Sequence, residues 1–277
     1  MRKILRYIQN FVKYIRKGGA VYVSVAQIAK GDMLSGKKIL ITGGSSGIGY
    51  SIAKKFLSEG ARVLITGRNE DKLRDAVHSL GDGENISYLV WDIADVHMAK
   101  TKTANAVEIL GGLDILVNNA GIYSVGDFSD IDVNDWDNII NTNLKGVCFI
   151  CQNAVEYFLR YSNKEIVKKI INISSIRGFQ GDYHPYGISK WGINGLTKGL
   201  AKKYVSENIV VNAIAPGITA SSINGIDSKS NVFASNIGNG RVALPEEIAE
   251  LALFLASDAS NNIIGQIIIC DGGATLI

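Results

Sequence analysis

Tyr186 and Lys190 stand four residues apart in Tyr186-Gly-Ile-Ser-Lys190, where a helical pattern begins. That spacing puts both side chains on one face of a helix. A free phenol, with a pKa of about 10, is a poor base at neutral pH. A neighbouring ammonium favours the phenolate and is expected to lower that value, letting Tyr186 exchange a proton with a substrate oxygen. Charge developing on that oxygen calls for a second hydrogen-bond donor. Tyr183 is a rival phenol, but the residue four beyond it is Gly187, not a lysine. His184 has no matching Ser/Asp pattern and reads as a loop residue bordering the substrate.

A second constellation suits phosphate binding. Thr42-Gly-Gly-Ser-Ser-Gly-Ile-Gly49 lies between an apolar run and a helical one. Gly43, Gly47 and Gly49 let the chain turn sharply and approach a pyrophosphate, while Ser45, Ser46 and Ile48 complete the loop. The first amides of the following helix offer unpaired N–H donors and a positive dipole end. A tight strand-to-helix turn would use the same glycines, so this loop by itself does not decide.

The elements that must position these residues alternate from residue 36 onward. Strands are expected at Lys38–Thr42, Arg62–Thr66, Ile86–Trp91, Leu113–Asn118, Lys169–Ser174, Ile209–Ile214 and Gln266–Cys270. Helices fit at Ile48–Glu59, Glu70–Leu80, 96–110, 133–161, 186–206 and 245–256. Strands separated by helices predict an α/β fold, a Rossmann-like, doubly wound parallel sheet with helices on both faces, in a single domain. Ligands of such sheets bind at the carboxyl ends of the strands, where most of these motifs fall.

Thr42–Gly49, Asn118-Asn-Ala-Gly121, Tyr186–Lys190 and Pro216-Gly217 together resemble the short-chain dehydrogenase/reductase family in order and spacing, over roughly residues 36–274. The resemblance implies a hydride transfer between a nicotinamide and a carbonyl or secondary alcohol, with Tyr186 as acid/base and Lys190 also holding the nicotinamide ribose. It implies a serine at the end of the fifth strand. Ile171-Asn-Ile-Ser-Ser-Ile-Arg-Gly178 offers Ser174 and Ser175, and alignment to the following Ile-Arg-Gly selects Ser175. Asn143 resembles the helix asparagine that holds a proton-relay water. Asp92 resembles an aspartate near the adenine. Asn118, Ala120 and Gly121 would pass beneath the adenosine side. Pro216, Gly217 and Ile218 resemble the loop meeting the carboxamide, with Ser221 where a threonine is common. After the second strand, Ile65-Thr-Gly-Arg68-Asn69 has no carboxylate before Glu70, and Arg68 could fork onto a 2′-phosphate. NADP(H) is therefore favoured over NAD(H). The substrate expected is a small carbonyl or alcohol, with a 3-oxoacyl thioester or a keto-sugar as alternatives. A dinucleotide sensor without catalysis is disfavoured by the complete Asn143, Ser175, Tyr186, Lys190 set. Specificity is assigned to a mobile segment from Thr219 to Ala243. The family's usual assembly is a homodimer or homotetramer through the two long helices.

Composition narrows the classes further. The 277 residues carry a formal charge of +3, yet residues 1–34 hold seven Lys/Arg against Asp32, a net of +6, which leaves −3 for the rest. The basic character belongs to an N-terminal extension, residues 1–34, and not to the catalytic domain, 35–277, which argues against a nucleic-acid partner. Three cysteines suggest no disulfide framework, and a reducing, cytoplasmic setting is expected. Cys148 and Cys151 form a C-x-x-C inside an apolar run and read as core residues; no metal site is expected. No uncharged apolar stretch reaches the roughly 18 residues of a membrane span. Residues 1–17 place Ile4, Leu5, Ile8, Phe11, Val12 and Ile15 at helical spacing among basic residues. Such a helix suits either the inner face of an anionic membrane or, by a small margin the preferred reading, docking on this protein or its oligomeric partner.

Overall fold

Seven short runs of β-branched and aliphatic residues pair in parallel as one sheet, in the order β3-β2-β1-β4-β5-β6-β7. They are β1 (Lys38–Thr42), β2 (Arg62–Gly67), β3 (Ile86–Val90), β4 (Ile115–Asn118), β5 (Lys168–Ile173), β6 (Ile209–Pro216) and β7 (Ile267–Cys270). The computed structural model describes residues 2–16, 19, 31–81, 83–124, 126–161, 166–221, 225–227 and 231–276. Alternate strand residues face opposite layers. Ile39, Ile41, Val63 and Ile65 join a core with Ile52 and Phe56 of α2 (Gly47–Ser58), Leu73 of α3 (Glu70–Leu80) and Leu253 of α8 (Pro245–Ala256). Leu40, Leu64, Leu116 and Val211 join the other. Their partners are Leu110 of α4 (Ala99–Leu110), Phe158 of α6 (Val147–Tyr161) and Ile193 of α7 (Pro185–Tyr204). The doubly wound, two-faced sheet is the architecture the alternation predicts.

Local chemistry sets the helix ends. Asn69 Oδ1 accepts from the Lys72 amide at 2.9 Å at the start of α3, and Gly81 closes that helix at φ +119°. Pro185 and Pro245 begin α7 and α8, where the missing N–H is not needed. β5 opens on two buried lysines, each with partners. Lys168 Nζ meets Asp114 Oδ1 at 2.7 Å. Lys169 Nζ donates to Leu255 O, Ser257 O and Ser260 Oγ, and burial pushes its pKa down to about 8.

Two expectations change. The helix expected over 133–161 is interrupted: α5 (Val133–Ile140) passes through a π-helical turn, Asn141–Gly146, before α6. Here the chain packs against a neighbouring carbonyl, since a Cβ on Gly146 would fall 2.3 Å from Ile93 O. The wider turn carries Asn143. The Thr219–Ala243 segment, expected to be mobile, carries a small apolar core in its described parts. Ala220, Val232, Ile237 and Val242 cluster with Leu244, and Thr219 bridges Ala243. Residues 222–224 and 228–230 lie outside the described residues.

The extension forms helix α1 (Arg2–Arg16). It touches the body along one edge, where the Tyr14 ring meets Phe233 at 5.4 Å and Asn10 Oδ1 accepts from Ser235 Oγ at 3.1 Å. Met1, Lys17, Gly18 and residues 20–30 lie outside the described residues. Packing of the body takes in Leu34, which is fully buried, and the Glu59 carboxylate accepts from the amides of Gly31 and Met33.

Candidate active site

The carboxyl ends of β1 and β4, the strands between which the chain order reverses, meet at a staple that the sequence reading did not single out. Thr42 Oγ1 accepts from the amides of Asn119 and Ala120, both at 3.1 Å. Asn119 Nδ2 donates back to Thr42 O at 3.0 Å and Gly43 O at 2.8 Å. The glycine loop is thereby drawn against Ala120. A Cβ on Gly43 would lie 2.7 Å from Ala120 Cα, and one on Gly49 2.3 Å from Gly43 O. Gly43 and Gly47 also have positive φ, +67° and +56°, which L side chains rarely adopt. Their spacing is thus required by close approach and by backbone handedness.

Ser46 caps α2 in an extended conformation without a side-chain hydrogen bond. The first turn, Gly47, Ile48 and Gly49, turns its amides and dipole end towards the loop. Ser45 Oγ would be 3.7 Å from a Cβ on Gly67, so Ser45 and the following Arg68, which is exposed, share the end of β2. Asp92 is exposed beyond β3, with Oδ1 accepting from the Ala94 amide at 3.0 Å. On the far side, Pro216 ends β6 and Gly217 presses so closely on Asp271 that a Cβ would lie 2.8 Å from its Cβ. Ile218 is exposed, and Ser221 returns towards the loop, 3.6 Å from a Cβ position on Gly47. This cradle of close-packed glycines, open helix amides and a flanking arginine fits a dinucleotide with two phosphates. It would hold such a group through Gly43, Ser45–Gly49, Arg68 and the 216–221 turn.

Asn118 does not point into the cradle. Its Nδ2 donates to Asn172 Oδ1 at 2.9 Å and to Cys151 Sγ at 3.2 Å, a buried link between β4, β5 and α6. Cys151 is held by that link, and burial pushes its thiol up to about 12. Cys148 is exposed, and among the described residues no cluster of metal-ligating side chains occurs.

Towards the other end of the cradle, α7 brings Tyr186 and Lys190 together. Lys190 Nζ lies 5.5 Å from the Tyr186 ring centroid and donates to Ile173 O at 2.9 Å. A Cβ on Gly121 would lie 3.3 Å from Asn143 Oδ1 and 3.8 Å from that ammonium, so Gly121 sits between Asn143 and Lys190. Asn143 clamps Ile122, accepting from its amide at 2.8 Å and donating to its carbonyl at 2.9 Å. The clamp fixes the backbone leading to Tyr123, whose ring packs edge-on to Tyr186 at 4.9 Å. Tyr123, part of no motif, is a further residue that sequence reasoning missed.

The two serines separate. Ser174 Oγ donates to Asn194 Oδ1 at 2.6 Å and is committed to α7. Ser175, also buried, accepts from the Arg177 amide at 3.2 Å through its Oγ, and that side chain lies near enough to the Tyr186 phenol to favour its ionised form. Burial outweighs that influence, and the Tyr186 pKa is raised above its ordinary value. Desolvation of the phenol outweighs the lowering expected from Lys190, which burial itself pushes down to about 8.

The eleven-residue step from Ser175 to Tyr186 is tethered. Arg177 Nε donates to Asp182 Oδ2 at 2.6 Å, and the His184 amide donates to Asp182 Oδ1 at 3.0 Å. Asp182 fills the space beside Gly187, where a Cβ would lie 1.9 Å from Oδ2. His184 is buried and caps α7, accepting from the Tyr186 amide at 3.5 Å. Tyr183 remains exposed, stacked edge-on with Phe128.

A family model described as enoyl-(acyl carrier protein) reductase matches residues 43–275. A 3-oxoacyl-[acyl-carrier-protein] reductase, FabG, of Chlamydia trachomatis is 37% identical over 249 residues, covering 87% of this chain and 98% of that protein. The 3-ketoacyl-(acyl-carrier-protein) reductase of Brucella melitensis, solved with NADH, superposes with a TM-score of 0.80 at 28% identity, covering 87% and 99% of the two chains. The Pseudomonas aeruginosa RhlG/NADP active-site complex gives a TM-score of 0.81 at 32% identity, covering 89% and 99%.

Proposed function

This chain belongs to the short-chain dehydrogenase/reductase family and is a nicotinamide-dependent oxidoreductase, and from that premise we propose that it reduces a ketone with NADPH, Tyr186 donating the proton. The observation carrying this reading is the convergence of Ser175, Tyr186 and Lys190 at one end of the phosphate cradle. Reduced nicotinamide, when bound, supplies the hydride. Ser175 Oγ–H donates to the carbonyl oxygen and stabilises the charge that grows there. The Tyr186 phenol, protonated at neutral pH as any phenol is, passes its proton to that oxygen as the carbon is reduced. Lys190 would hold the nicotinamide ribose, Asn143 positions the 121–123 backbone and would hold a relay water, and Asp92 and the Asn118–Gly121 chain would flank the adenosine. Pro216, Gly217, Ile218 and Ser221 would meet the nicotinamide side.

A 3-oxoacyl thioester is the substrate class supported by the name of the 37% identical relative. A screen of 3-oxoacyl thioesters, simple ketones and keto-sugars, followed by loss of NADPH absorbance, should give the highest kcat/KM on the thioesters. Absence of turnover on every carbonyl would overturn the reading. Ser175→Ala should reduce kcat far more than Ser174→Ala, which should act mainly through stability by leaving Asn194 short of a partner. The reverse ranking in steady-state assays would transfer the role to Ser174.

Assembly is proposed through α6 and α7, whose exposed Phe149, Leu159, Tyr161 and Trp191 are the kind of surface a homo-oligomer covers. Light scattering at micromolar concentration should report a dimer or tetramer, and a monomer would reject this surface as an interface.

A further inference from the structure

Helix α1 keeps its apolar face away from the body it touches. At 3.6 residues per turn, Ile8, Phe11, Val12 and Ile15 share one face, and Tyr7 and Tyr14 lie along its edge. Asn10 and Tyr14, on one side of that face, make the contacts to Ser235 and Phe233. The face itself stays open: Phe11 is 63% exposed, Ile15 58% and Ile8 57%. Docking of the apolar face onto the chain's own body, half of the preferred sequence reading, is therefore not what the fold does.

The charge pattern identifies what covers it. Residues 1–17 contain Arg2, Lys3, Arg6, Lys13, Arg16 and Lys17 and no acidic residue. Lys13 and Arg16 have no carboxylate partner among the described residues. The apolar cores of protein interfaces are depleted in lysine, whereas a helix with large apolar groups on one face, cations among its other residues and no anion matches the boundary of an anionic bilayer. Tyrosines at the edge of the apolar face suit the headgroup level.

We propose that α1 is a membrane-surface helix, lying in the interface of an anionic lipid bilayer with Ile8, Phe11, Val12 and Ile15 inserted and its cations among the headgroups. Its edge contacts then hold the segment carrying Phe233 and Ser235 next to the bilayer.

The test is co-sedimentation of the full-length protein with vesicles of phosphatidylcholine alone and of phosphatidylcholine mixed with phosphatidylglycerol. The protein should pellet with the anionic vesicles at low salt and be released as salt rises. Lys13→Gln with Arg16→Gln should weaken binding about fivefold per charge removed. Phe11→Ser with Ile15→Ser should abolish it. Both variants alter exposed residues outside the catalytic machinery, so unchanged melting temperature and basal turnover would show intact folding. Protein that stays in the supernatant with anionic vesicles would overturn the proposal, as would equal binding to neutral ones. A fall in oligomer mass in the Phe11/Ile15 variant, with no vesicle binding by the parent, would assign the face to a second copy instead. The readout is binding, so it stands or falls separately from the catalytic assignment.

Discussion

Replacing Tyr186 with phenylalanine is expected to cut kcat by about a hundred- to ten-thousandfold, the usual contribution of a positioned general acid. The ring stays: it packs against Tyr123 at 4.9 Å and under the Lys190 ammonium at 5.5 Å, and neither contact needs the hydroxyl. What is removed is the proton donor beside Ser175. Cofactor affinity, measured by fluorescence titration, should be nearly unchanged. This separates a chemical defect from a binding defect, because loss of an interaction made only in the transition state lowers kcat and kcat/KM together. Near-parental turnover in Tyr186→Phe would remove Tyr186 from the chemistry. Tyr183, whose exposed ring stacks on Phe128, would then be the remaining phenol of the loop.

The second large effect concerns the cofactor's ribose. Arg68→Ala should weaken NADPH by roughly ten- to a hundredfold, the worth of a charge-assisted hydrogen bond of about 1.5–3 kcal/mol, and leave NADH almost untouched. Only NADPH carries the 2′-phosphate, and Arg68 stands exposed just after Gly67, beside Ser45. Its exposure means that salt should shrink the difference. Side-by-side KM values for the two cofactors at low and high ionic strength would measure this. Equal losses for NADPH and NADH would make Arg68 a structural residue of the α3 entrance.

The parts of the site legible in the sequence are those fixed by local backbone chemistry. Glycine spacing at 43, 47 and 49 records positive φ and close approach within one loop. The four-residue step from Tyr186 to Lys190 records a helix face, and α8 begins and ends where its proline and apolar period place it. What escaped depends on residues distant in the chain. Asn119 matters because it reaches Thr42, 77 positions away. Asn118, beside it in the same motif, is turned inward by Asn172 and Cys151. The π-helical turn that carries Asn143 ends where Gly146 meets the Ile93 carbonyl, a contact no periodicity encodes. Burial reversed the expected direction of the Tyr186 shift, because the proximity of a cation can be read from spacing and the loss of water cannot. The choice of Ser175 was made from the sequence by alignment, and the bond that commits Ser174 to Asn194 adds a geometric reason that spacing does not hold.

The claim that unites these residues is a hydride passing from the nicotinamide to a carbonyl carbon while Tyr186 protonates the oxygen. The most direct measurement uses NADPH deuterated at the transferable position of nicotinamide C4, a 3-oxoacyl thioester and mass spectrometry of the product. The account predicts deuterium on the carbinol carbon with the parent enzyme and a collapse of its incorporation rate in Tyr186→Phe. Binding of the cofactor without transfer of the label to any carbonyl tested, or undiminished transfer in Tyr186→Phe, would contradict it.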